Sequence, residues 1–328
     1  MITGLGAARL SVTKQSSMAP LGAKDFLSVL DLTHAELDRV LELAGRLKRD
    51  RGAGHAGPGP LAGQHVALLF DKPSLRTRAT FVIAIHELGG EIIEPLADAA
   101  FGSREALADV ARSLERWVTT AVVRTLGRER LQQFAAAAKG LHVINALTAQ
   151  EHPCQALADF LTLQEHVGAL AGRTLAFVGD GNNVAASLAH AGAMLGVHVR
   201  IASPAGFELP DEVIDAAKAV ARSGATLTLT DDPTEAVTGA DAVYTDAWAS
   251  MGQEDEAEAR AVVFRPYQVN AALMRSAGAK ALFMHCLPAH RGEEVTDEVM
   301  DSRASIVFDQ AENRLHAQKA LLTLLAGQ

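Results

Sequence analysis

The chain has 328 residues, 48% hydrophobic and 21% charged, with 30 Lys plus Arg against 39 Asp plus Glu and a net charge of -9. That length fits two domains of about 150 residues whose cores need no covalent staples, and the composition excludes disorder as the main state. The acidic balance excludes a chain-wide basic surface for nucleic acid, and no apolar run reaches the roughly 18 residues of a membrane helix.

Residues 1–24 read as a leader, expected to be disordered. Its first twenty residues hold no Asp or Glu, one Arg (Arg9), one Lys (Lys14) and several Ser and Thr. A transit peptide has that composition; the plainer readings are a frayed leader, or a start codon placed too early with Met18 as the real start. Thr33 to Glu36 predicts a capping box, followed by Leu37, Val40, Leu41, Ala44 and Leu47 at helical spacing. RGAGHAGPGP (51–60) is a loop. HVALLFD (65–71) reads as a strand buried on both faces. A helix pattern follows from Arg76 to Leu88 and stops at Gly89-Gly90. EIIEP (91–95), TAVVRT (120–125) and HVINAL (142–147) read as further strands, and 153–168 as a long helix. Then come TLAFVGD (174–180), HVRIAS (198–203), TLTLTD (226–231), DAVYTD (241–246), ALFMHC (281–286) and SIVFD (305–309), all expected as strands, and a final helix at roughly 311–326. The alternation predicts an α/β fold of two doubly wound parallel-sheet domains with a cleft between them. The expected division is 25–152, 153–310, and a C-terminal helix, 311–328, packing back towards the first domain.

Ligands bind beyond the carboxyl ends of strands in such sheets, and the polar motifs lie there. Ser74-Leu75-Arg76-Thr77-Arg78 places two hydroxyls and two guanidinium groups at a helix onset, which suits an anion. The full G-x-x-x-x-G-K-[ST] pattern is absent, so this is no nucleotide P-loop. Arg124 ends another strand. His152 and Gln155, three apart at a helix start, share a face and suit a small carbonyl and its amide. Cys154 reads as filler. Gly179-Asp180-Gly181-Asn182-Asn183 is an incomplete dinucleotide fingerprint. Asp246 ends a strand before a small-residue loop that could move as a lid. His285-Cys286-Leu287-Pro288 ends another, its thiol a ligand contact or a nucleophile, and Glu312-Asn313-Arg314 opens the last helix. The chain's two cysteines, Cys154 and Cys286, are too few for a disulfide framework or a four-cysteine zinc site. That points to a reducing, cytoplasmic setting.

Together SLRTR, HPCQ, GDGNN, DAWASMGQE, HCLPAHRGEEV and AENRLH resemble ornithine carbamoyltransferase, in that family's order and spacing, from about residue 25 to the C-terminus. The resemblance implies a homotrimer that transfers the carbamoyl group of carbamoyl phosphate to the δ-amine of L-ornithine, with no metal or organic cofactor. Residues 25–152 would bind carbamoyl phosphate and 153–310 ornithine. Ser74, Leu75 through its backbone, Arg76 and Thr77 would hold the phosphate. Arg124 and His152 would polarise the carbonyl, Gln155 and the Leu287 carbonyl would take the carbamoyl NH₂, and Arg314 would close on the substrate. Asn183, Asp246, Ser250 and Met251 would hold ornithine, with Cys286 beside Asp246 near the attacking amine. Two positions depart from the pattern. Leu75 replaces the family's usual Thr, and Ala100 stands before Phe101-Gly102 where a Gln usually reaches a neighbouring subunit's substrate. Competing readings are a carbamoyltransferase for another amine, a nucleotide-dependent dehydrogenase suggested by GDGNN, and a non-catalytic homologue.

Overall fold

A computed structural model describes residues 19–52, 59–95, 105–249 and 254–327. Leu75, Ala100, Phe101 and Gly102 carry the departures noted above; of these only Leu75 is described, and Ser250 and Met251 also lie outside the described residues.

Two parallel sheets form. The first has the order β2-β1-β3-β4, with β1 His65–Phe70, β2 Glu91–Ile93, β3 Thr120–Arg124 and β4 His142–Leu147. The second has the order β7-β6-β5-β8-β9, with β5 Thr174–Val178, β6 His198–Ala202, β7 Leu227–Thr230, β8 Ala242–Thr245 and β9 Leu282–His285. Alternation along each central strand shows why the sequence runs are continuously apolar. Val66 and Leu68 enter one core cluster while Ala67 and Leu69 enter another; Leu175 and Phe177 likewise part from Ala176 and Val178. Each sheet is thus covered on both faces, as parallel sheets require. Strand order reverses between β1 and β3 and again between β5 and β8, so each sheet has a switch point where a crevice opens.

Helix α1, His34–Asp50, begins with the capping box of Thr33 and Glu36. Helix α2, Leu75–Glu87, follows β1, and Gly89 ends it at φ +82°, a left-handed position that suits glycine. Helices α3 and α4, Leu107–Leu114 and Arg128–Ala137, flank β3, and α5, Pro153–Val167, crosses to the second sheet. Helix α6, Asn183–Leu195, follows β5; α7, α8, α9, α10 and α11 are Asp211–Ala219, Pro233–Val237, Ala257–Phe264, Ala271–Ala277 and Asp297–Met300.

The expected strand at 305–309 is not one. Ser305 makes an isolated bridge to Phe283, and a helix, α12, runs Val307–Ala326, four residues ahead of the start expected at 311. The run reads as a strand because Ile306 and Val307 are buried at the onset of α12, while Phe308 and Asp309 on its other side are exposed. This helix packs on α1, α2, α5 and β9, so it touches elements of both sheets. The leader also differs from expectation at its described end. Leu21 is buried and its N–H donates to the Leu324 carbonyl at 3.0 Å, so the chain is tied down before residue 24.

Candidate active site

A cavity of about 750 Å³ lies between the carboxyl ends of the two sheets. Its floor on one side is the onset of α2. Ser74 is the N-cap and makes no side-chain capping bond, so the first-turn N–H groups of Leu75, Arg76 and Thr77 have no intrahelical partner and point at the cavity mouth. Leu75 is 80% exposed; its side chain is dispensable for packing, and what this position offers is its backbone. Arg76 lines the cavity. Arg78 does not join it, turning instead to Glu94 in a bidentate pair at 2.5 Å.

Buried Thr77 accepts from two guanidinium groups. Arg124 Nη1, from the end of β3, donates to Thr77 Oγ1 at 3.4 Å, and Arg314 Nη2, from α12, donates to the same oxygen. Burial, then the charge of Arg314, pulls Arg124 down to about 10, still cationic at neutral pH. Burial also lowers Arg314, whose Nε finds no hydrogen-bond partner among the described residues. Two converging cations in a shielded site repel, and an anion between them relieves both.

His152 caps α5, its backbone N–H donating to Ser187 Oγ at 2.9 Å. Burial first, then Arg314 and Arg124, holds its imidazole well below the usual histidine range. It is therefore neutral and can donate one N–H without competing for the anion. Gln155 is buried; its Nε2 donates to Asp159 Oδ1 at 2.7 Å, and its Oε1 has no partner among the described residues.

The second sheet supplies the rest. Asp246 follows β8. Its Oδ1 accepts from Cys286 Sγ at 2.9 Å and from the Ala247 N–H at 2.8 Å, and its Oδ2 accepts from Asn182 Nδ2 at 2.8 Å. Burial, then Asp246, pushes the Cys286 thiol well above its usual range, so it is a protonated donor and no nucleophile. Asn183 Nδ2 donates to the Thr148 carbonyl at 2.6 Å, leaving its side chain at the cavity wall. Leu287 sits at φ +60°, a strained value for a branched residue. Its N–H donates to His285 Nδ1 at 2.8 Å, so the ring proton is on Nε2, 3.2 Å from Glu294 Oε1; both side chains are fully buried. This pair holds the Leu287 peptide against the cavity.

Of the expected site residues, Ser74, Leu75, Arg76, Thr77, Arg124, His152, Gln155, Asn183, Asp246, Cys286, Leu287 and Arg314 all line this one cavity. Glu312 and Asn313 do not: they bond to Lys48, away from it. Cys154 is buried filler, its thiol donating to the Asn145 carbonyl at 3.4 Å. Gly181 also has a plain reason. A Cβ there would lie 2.5 Å from the Glu208 and Leu209 backbone, so this glycine makes room for the protein's own chain and not for a pyrophosphate.

Sequence reasoning missed the supporting roles of four residues, of which His285 and Glu294 lie inside a motif it had already marked. Asp159 gathers donors from Gln155, Gln310 and Tyr244; burial raises it to about 7. An acid in the apolar run of α5, four residues after Gln155, was the available signal. Arg260 joins Asp180 and the Trp248 carbonyl, under the Phe207 and Phe264 rings. His285 and Glu294 are the others. Among the described residues two groups have the ligand types for a metal, Asp246 with His285 and Cys286, and His290 with Glu293 and Glu294, each within 4.8 Å. In the first, the thiol and the carboxylate are bonded to each other and His285 is engaged at both nitrogens.

Residues 24–165 match the carbamoyl-P binding domain, and residues 171–325 the Asp/Orn binding domain, of aspartate/ornithine carbamoyltransferase. The chain is 48% identical over 307 residues to an ornithine carbamoyltransferase of Anoxybacillus flavithermus, covering 93% of this chain and 97% of that one. It is 49% identical over 313 residues to that of Carboxydothermus hydrogenoformans, covering 94% and 100%. The solved structure of ornithine carbamoyltransferase from Pyrococcus furiosus superposes with a TM-score of 0.89 at 46% identity, covering 94% of this chain and 98% of that one.

Proposed function

The chain belongs to the aspartate/ornithine carbamoyltransferase family, and we infer that it transfers the carbamoyl group of carbamoyl phosphate to the δ-amine of L-ornithine, giving L-citrulline and phosphate. One observation carries the reading: an anion cradle, two cationic arginines, a neutral histidine and an unpaired amide oxygen meet Asp246 and Cys286 in a single cavity.

In this reading the α2 onset, with Ser74, Arg76 and Thr77, holds the phosphate. Arg124 and the His152 N–H face the carbonyl oxygen and take up its charge as the tetrahedral intermediate forms. Gln155 Oε1 and the Leu287 carbonyl accept from the carbamoyl NH₂, and Arg314 closes on the phosphate side. Asn183, Asp246, Ser250 and Met251 hold the amino-acid head of ornithine, with Cys286 beside the δ-amine. The neutral amine attacks the carbonyl carbon. A C–N bond forms, the C–O bond to phosphate breaks, and the electron pair and the amine proton leave with the phosphate. Fixing amine and carbonyl in one cleft supplies most of the advantage, and Cys286, its thiol bonded to Asp246 and its pKa raised by burial, needs no covalent role. No metal or organic cofactor enters this scheme.

A homotrimer, as the resemblance implies, and a cytoplasmic setting complete the reading. Both cysteines are free and buried, which suits a reducing compartment; among the described residues no helix is long and apolar enough to cross a membrane. The test is a citrulline assay over a panel of ornithine, lysine, putrescine, aspartate and N-acetylornithine with carbamoyl phosphate constant. Ornithine is expected to lead putrescine by roughly 10⁴-fold in kcat/KM, because putrescine leaves buried polar groups unpaired. Equal use of putrescine or aspartate sinks the ornithine assignment.

A further inference from the structure

Gln155 has an amide that is nearly symmetric in shape, so its own side chain does not decide which end meets the cavity. Asp159 decides it. One turn along α5 and buried, Asp159 accepts at Oδ1 from Gln155 Nε2 and from Gln310 Nε2, each at 2.7 Å, and at Oδ2 from the Tyr244 hydroxyl at 3.2 Å. Gln310 is itself fixed end for end. The His285 backbone N–H donates to Gln310 Oε1 at 3.0 Å, which leaves its NH₂ for Asp159 and for the Tyr244 oxygen at 3.0 Å. A main-chain donor on β9 therefore sets the direction of Gln310. The acceptor oxygen of Asp159 then turns it around, so that Gln155 presents an oxygen, and not an NH₂, to the cavity.

We propose that Asp159 is a positioning residue that fixes the Gln155 amide with its acceptor facing the substrate, and thereby makes the site select a carbamoyl NH₂ over a group of the same shape that cannot donate. The inference rests on the reading of Gln155 as the carbamoyl contact. It holds in either protonation state of Asp159, because a proton on Oδ2 is taken by the Tyr244 oxygen and Oδ1 stays an acceptor.

The probe is acetyl phosphate, which has the same phosphate and a methyl in place of the NH₂. Its inhibition constant against carbamoyl phosphate is measured beside the KM for carbamoyl phosphate in the wild type, Asp159→Leu, Asp159→Asn and Gln155→Ala. Asp159→Leu removes every acceptor at nearly constant volume. It is expected to raise the KM for carbamoyl phosphate about tenfold while the acetyl phosphate constant stays within about twofold. Asp159→Asn keeps one acceptor oxygen and falls between. Gln155→Ala shows the same selective loss. If Gln155→Ala is selective and the folded Asp159 variants are not, the proposal is overturned and the site reading stands. If Gln155→Ala leaves the ratio intact, both fall. A rise of both constants in step in Asp159→Leu reduces Asp159 to a structural role and also overturns it. Should that variant not fold, Asp159→Asn is judged by the same ratio.

Discussion

At the scale of single residues, charge and burial pull in opposite directions around the cavity. Arg76 is half-buried at the α2 onset and forms no salt bridge among the described residues, so its guanidinium is available to an anion. Arg76→Ala is expected to lower kcat/KM by on the order of 10²–10³-fold through loss of a charge-assisted phosphate contact, with little change in the midpoint of urea unfolding. Activity within about threefold of wild type removes the role, since that is under 1 kcal/mol. His152 carries a pH signature. Its folded-state pKa is depressed by burial and two arginines, so below the unfolded value of about 6.5 the unfolded chain binds a proton that the folded chain refuses. Stability at His152 is therefore full above that pH and falls as pH drops towards the folded pKa. Between pH 7.5 and 5.5, His152→Gln is expected to lose less stability than wild type in urea unfolding. An imidazole that titrates near pH 6.5 by NMR contradicts this.

At the scale of elements, the supports matter as much as the contacts. Arg260 on α9 bonds Asp180 after β5 and the Trp248 carbonyl after β8, so one side chain ties together the loops that end two neighbouring strands. Arg260→Met leaves Asp180 a nearly buried, unpaired charge. It is expected to cost about 3–5 kcal/mol in urea unfolding and to raise the KM for ornithine; unchanged stability shows that the tie is idle. Much of this cavity could be read from sequence because most of its polar lining residues follow a strand end, Arg314 on α12 being the exception. Ser74 to Thr77 come after β1, Asp246 after β8, Cys286 after β9, and a polar motif at a strand's carboxyl end is a local signal. The network of Asp159, Tyr244 and Gln310 was not read for the opposite reason. They lie on α5, β8 and α12, and only the packing of those elements turns three unremarkable polar residues into one network. The segment 305–309 misled because a helix onset with two buried residues and a short buried strand can share the same apolar run; length separates them, and here the helix extends to Ala326.

At the scale of the molecule, one hydrophobic cluster includes Val66, Leu68 and Val122 of the first sheet, Leu175 and Phe177 of the second, and Leu315, Leu321 and Leu325 of α12. Sharing a core couples the halves, so calorimetry is expected to show a single unfolding transition; two separated transitions contradict the coupling. The bond from Leu21 to Leu324, the Gln64 amide on the Ala326 carbonyl at 2.9 Å, and Lys319 on Glu87 at 2.7 Å tie three points around the first sheet to α12. That closure has a consequence for synthesis. The first sheet leaves the ribosome early, yet α12, which covers its core and carries Arg314, is translated after both sheets. The nascent first half therefore keeps an apolar face uncovered until α12 has been made, and only then is the cavity that Arg314 lines complete.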